Sequence, residues 1–85
     1  MKELEVTFEG KGEVKGDIFK QIIKSEVGYM YSVAYEDKIS HYEVFRRKEN
    51  TQYDNISYPK STSFGKWAWT YYVYKNAITK FNELK

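Results

Sequence analysis

From Glu3 to Glu9 charged and apolar residues take turns: Leu4, Val6 and Phe8 fall between Glu3, Glu5, Thr7 and Glu9. A period of two puts the apolar set on one face of an extended chain, so the spacing predicts a strand over about 3–9. Gly10, Gly12 and Gly16 then punctuate a turn or hairpin. A second strand is expected over about 17–25 and a third over about 28–36. In the third, Tyr29, Tyr31, Val33 and Tyr35 share one face while Met30, Ser32 and Ala34 share the other. Glu36, Asp37 and Lys38 read as a tight turn into a fourth strand, about 40–48. Residues 50–63 are rich in Asn, Ser and Thr, carry Pro59, and predict a long exposed loop. A fifth strand follows over about 65–71, with Trp67, Trp69 and Tyr71 on one face and Lys66, Ala68 and Thr70 on the other.

The period changes after that. Val73, Ala77, Phe81 and Leu84 are spaced by four, four and three, with Tyr74 and Ile78 beside them. Lys75, Asn76, Thr79, Lys80, Asn82 and Glu83 fill the opposite face. This is the pattern of an amphipathic helix over about 73–84, roughly 16 Å long. Strands followed by one helix give an α+β class: a four- to five-stranded antiparallel sheet with one C-terminal amphipathic helix on one face. No internal repeat or composition break divides the chain, so 1–85 reads as a single domain.

One short helix covers one face of such a sheet. Several strands nonetheless carry large apolar groups on both faces, as with Phe45 against Tyr42 and Val44. A second aromatic layer therefore needs its own cover, from a barrel-like closure, a second subunit or a ligand. A homodimer is the expected solution. Composition sharpens the point. There are two leucines, six isoleucines and six valines against sixteen aromatic residues, so rings must supply much of the buried area.

Absence of cysteine removes disulfides and thiolate chemistry and suits a reducing compartment. The opening residues hold no apolar run of signal-peptide or membrane-span length, and a cytoplasmic location without membrane attachment is expected. Charge is unevenly spread: residues 1–40 carry six basic and eight acidic side chains, residues 41–85 eight basic and four acidic. The basic half also holds eleven of the aromatics. Arg46, Arg47 and Lys48 close the fourth strand, Lys60 lies in the loop, and Lys66 precedes the tryptophans. Cations interleaved with Phe45, Tyr58 and Trp67 suit single-stranded nucleic acid, since the cations track phosphates while ring faces stack on bases. The same aromatic content also suits a Tyr- and Trp-rich protein interface, as in a phage inhibitor or accessory factor. A charged strand end that discourages edge pairing accounts for Arg46–Lys48 equally well.

Catalytic signals are sparse. His41 is the only histidine and shares a strand face with Glu43, an acid–base spacing around which a nuclease-like site can be imagined. No nucleophile elbow, phosphate-binding glycine loop or metal-ligand cluster accompanies it. The expectation is a binding protein, not an enzyme, without cofactor or metal.

The segments HYEVFRRKEN and YPKSTSFGKWAWTYY, followed by Ala77, Phe81 and Leu84, resemble a class of short uncharacterised proteins of bacteriophages and mobile elements. The resemblance covers 41–84 and implies a genomic setting without an assigned chemistry. Val73 departs from the Ser or Thr expected at the helix cap. In fold alone, strands followed by one helix are similar to PUR-type and related modules that bind single-stranded nucleic acid as dimers.

Overall fold

The alternation in the middle of the chain becomes an antiparallel meander, β1 (Thr7–Glu9), β2 (Asp17–Lys24), β3 (Gly28–Tyr35) and β4 (Lys38–Arg46). A computed structural model describes all residues, 1–85. Glu36 and Asp37 both take positive φ, 50° and 66°. That is the mirror-image two-residue turn whose twist matches a hairpin, and it sets Tyr35 opposite Lys38. A two-stranded pair, β5 (Glu49–Asn50) and β6 (Asn55–Ile56), precedes β7 (Ala68–Tyr71) and the helix α1 (Tyr74–Glu83). The main sheet is five-stranded, in the order β1-β2-β3-β4-β7, and every pairing is antiparallel. The fold is thus α+β, with one C-terminal helix on one face. No helix is long and apolar enough to cross a membrane.

The helix face buries Met30 and Val44 beneath Ala77 and Leu84, with Tyr42, Trp69, Tyr71, Ile78 and Phe81 around them. The other face buries Phe19, Tyr29, Tyr31, Val33, Phe45 and Ala68. Tyr29 and Tyr31 both stack against Phe45, with ring centroids at 5.3 and 5.7 Å. This is the second aromatic layer, and the chain closes it by itself. Residues 47–67 cross it as a strap, and Ile56, Tyr58 and Phe64 pack onto the rings from above, joined by Leu4. Tyr58 sits edge-on at the centre, 4.8 Å from Phe45 and 5.2 Å from Tyr31. Edge-to-face contact aims the positive ring edge at negative ring faces, which favours this packing over a sandwich.

Three expectations change here. The long exposed loop is a strap with buried Ile56, Pro59 and Ser63, because its few apolar side chains find an aromatic surface to cover. The need for a second subunit to cover that surface disappears with it. The first strand is shorter than 3–9: it starts only after a bend at Val6, and Lys2 instead bridges Asn55 of the strap, with its N–H 2.8 Å from the Asp54 carbonyl.

The fifth expected strand also starts late. Gly65, at φ 87°, turns the chain so that its N–H reaches the Ala68 carbonyl at 2.7 Å. Trp67 therefore precedes the strand and escapes its alternation. It packs against the strap-side layer, 6.4 Å from Phe45, while Trp69 and Tyr71 lie under the helix. The three rings expected on one face are divided between both.

Candidate nucleic-acid interface

The basic and aromatic residues converge where β4 ends and β7 begins. Arg46, the last residue of β4, donates its backbone N–H to the Trp67 carbonyl at 2.9 Å and thereby fixes Trp67 beside the strand end. Its guanidinium donates to the carbonyl of Lys85 at 2.8 Å and stands 5.9 Å from the Trp69 ring centre. Lys80, from the helix, places Nζ 4.0 Å from the same ring. Lys48 places Nζ 5.8 Å from the ring of Trp67 on the other face. Both indoles are half-buried and each has at least one cation over its ring. Beside them lies a shallow hollow of about 440 Å³ that Arg46, Lys48 and Lys85 help to line, with Glu26 and Glu49 as its acidic members.

Arg47 also borders this hollow, but its guanidinium is engaged in structural contacts. It donates to Glu3 Oε2 at 2.7 Å and to the Tyr29 hydroxyl at 2.8 Å, and its Nε lies 3.6 Å from Glu49. The Tyr29 hydroxyl also donates to Glu3, which together with Arg47 holds the Glu3 carboxyl down at about 2. Burial and the facing carboxylate push the Tyr29 phenol up, and the Glu3 contact pushes the Arg47 guanidinium up. The cluster pins the N-terminal segment against the start of the strap.

Of the other residues singled out in the sequence, Phe45 is 0% exposed and offers no face to a ligand, while Tyr58 is only partly buried in the ring layer, away from the cations at the end of β4. Lys60 and Lys66 are exposed on the strap, Lys66 next to Trp67. The structure thus gathers Arg46, Lys48, Lys66 and Trp67 at one rim. It leaves Lys60 further along the strap, ties Arg47 into ion pairs, packs Tyr58 into the ring layer and buries Phe45.

His41 and Glu43 do meet, Nε2 to Oε2, at 2.9 Å. His41 Nδ1 lies 2.6 Å from Ser40 Oγ, and the Tyr58 hydroxyl donates to the other Glu43 oxygen at 2.7 Å. Both carboxylate oxygens therefore have partners, and one of those partners ties the strap to β4. Burial first, then the charge of Glu43, push the Tyr58 phenol far up, so the hydroxyl stays a donor.

Trp69, Lys80 and Lys85 belong to the rim but were not legible as such. Lys80 reads as solvent-side by composition, yet it stands three residues after Ala77 and four before Leu84, on the margin of the buried stripe. That margin is where a lysine lays its stem along apolar surface and keeps its ammonium outside, a signal the spacing does contain.

Comparison with protein-family models, curated proteins and solved structures returns no match to this chain.

Proposed function

We propose that the chain is a non-catalytic binding module that holds single-stranded nucleic acid at the rim formed by Trp67, Trp69 and their cations. The observation that carries the reading is the placement of Lys80, Arg46 and Lys48 over the two indoles, at 4.0, 5.9 and 5.8 Å from the ring centres. A cation over an exposed ring contributes about 0.5–1 kcal/mol. Stacking a base on that ring contributes about 1–3 kcal/mol, and the displaced cation gains a phosphate. The exchange favours the ligand. Binding here needs one copy of the chain, since the strap already covers the other aromatic layer.

With Arg46, Lys48, Lys66, Lys80 and Lys85 as phosphate partners, log affinity should fall with log salt at a slope of about −3.5, from roughly −0.7 per phosphate on a single strand. Tryptophan fluorescence in a titration with oligothymidylate measures both affinity and slope. Replacing Lys48 and Lys80 together by Ala should lower affinity about tenfold and flatten the slope by about 1.4, with the unfolding midpoint little changed. Absence of quenching at low salt would sink the proposal.

A second reading has its own observation. Tyr72, Val73 and Tyr74 are 78%, 54% and 48% exposed in succession, an apolar run suited to a protein partner. Binding through them would be nearly indifferent to salt.

A further inference from the structure

The largest concavity lies elsewhere, between the strap and the β1–β2 hairpin. It is a groove of about 770 Å³ whose apolar walls include Phe8, Phe19, Tyr58 and Phe64. We infer that this groove is a binding site for a small organic cation, an alkyl- or arylammonium.

Size is the first reason. The volume falls within the roughly 300–1,000 Å³ of small-molecule pockets, which are mostly apolar with a few placed polar groups. Ring geometry is the second. Phe8 and Phe19 stack nearly parallel, centroids 4.9 Å apart at 3°, and Tyr58 stands edge-on to both at 5.4 and 5.5 Å. Rings interlocked in this way form a rigid apolar wall against which the organic part of a ligand can lie.

Charge decides the class of ligand. Three carboxylates, Glu5, Glu9 and Glu43, line the groove against one ammonium, Lys11. Glu43 is the most enclosed, with its side chain only 12% exposed, and it is aimed by the Tyr58 hydroxyl at 2.7 Å and by His41 at 2.9 Å. A carboxylate held at the edge of an aromatic wall attracts an ammonium more strongly than it would in open water. It repels phosphate for the same reason, so this groove and the nucleic-acid rim are independent sites. A neutral ring compound would gain the walls and nothing from the carboxylates.

The test uses three probes of one shape, phenethylammonium, 2-phenylethanol and 3-phenylpropanoate, in titrations of the intact chain followed by amide NMR shifts. The cation should give saturable shifts at Gly10 and Phe64 and bind at least about tenfold more tightly than the alcohol, with the carboxylate weakest. Replacing Glu5 and Glu9, both exposed, by Gln should lower affinity for the cation several-fold and leave the alcohol unchanged. Equal affinity for cation and alcohol, tighter binding of the anion, or no saturable shift up to about 10 mM cation would each overturn the assignment.

Discussion

Gly28 is the residue on which the two layers most directly depend. It begins β3 directly under the end of the helix, and a Cβ there would lie 2.4 Å from Leu84 Cδ1 and 2.5 Å from the Phe45 carbonyl oxygen. The leucine tip can swing, but the carbonyl belongs to the neighbouring strand and cannot move without breaking the ladder. Gly28→Ala should therefore cost about 1–3 kcal/mol, the scale of overpacking in a close-packed interior. A urea midpoint measures the loss, and an unchanged midpoint would mean that the helix end does not approach the sheet this closely. The hydroxyl of Tyr58 is the other residue-scale determinant. Its ring fills the centre of the aromatic layer, and its polar end needs an acceptor that only Glu43 supplies. His41 and Glu43 thus illustrate how an acid–base spacing on a strand can serve packing: each Glu43 oxygen has one neighbour as partner, the Tyr58 hydroxyl and the His41 ring.

At the scale of elements, the helix follows from its apolar stripe, while its start is left without a side-chain cap. Val73 occupies the cap position in an extended conformation, φ −112° and ψ 125°, and contributes no hydrogen bond. Its side chain is more than half exposed, so replacing it sacrifices little burial. Val73→Ser should satisfy one of the free N–H groups of the first turn and raise stability by about 0.5–1 kcal/mol, readable as a higher thermal midpoint. A lower midpoint would mean that the valine packs where it now stands exposed. The strap is the opposite kind of element. It has little regular structure, and it is held by dispersed bonds, Ile56 N–H to the Lys2 carbonyl and Ser57 N–H to the Lys48 carbonyl at 2.9 Å each. Its stability comes from the rings it covers and not from any propensity of its own.

Across the whole molecule, titration links the N-terminus, strap and ring layer. Glu3 titrates at about 2 in the fold against an ordinary 4.5, so the folded state binds its proton less readily than the unfolded chain does. The stability it contributes is complete above about pH 4.5 and is lost as pH falls toward 2. Tyr29, Tyr31 and Tyr58 shift in the opposite direction, above an ordinary 10, with burial the leading cause in each. Their contribution is complete below pH 10 and is lost as pH rises beyond it. Urea midpoints should accordingly form a plateau that falls away below about pH 4.5 and above about pH 10. Glu3→Gln should flatten the acid arm and also soften the alkaline arm, since the Glu3 carboxylate helps to raise the Tyr29 and Tyr31 phenols. An acid arm of unchanged steepness in that variant would place the responsible carboxylate elsewhere.

What the sequence determined by itself was carried by the local periods of the central strands and the helix. Tyr29, Tyr31 and Val33 against Met30 on β3, and Ala77, Phe81 and Leu84 on the helix, stand on the faces their spacing assigns, because i, i+2 and i, i+4 geometry is enforced by the backbone alone. The α+β class followed from those periods. Tertiary structure alone decided the cover of the second aromatic layer, the division of Trp67 from Trp69, and the meeting of Lys80 with an indole eleven residues earlier. The strap 47–67 has too few apolar positions to show a period, and what buries Ile56 and Tyr58 is a surface built by strands distant in sequence. One turn at Gly65 moved Trp67 out of the alternation, so the rim of cations and indoles arises from two chain segments meeting at the end of β4. Local periodicity records which way a side chain points; only the folded path of the chain records what it meets there.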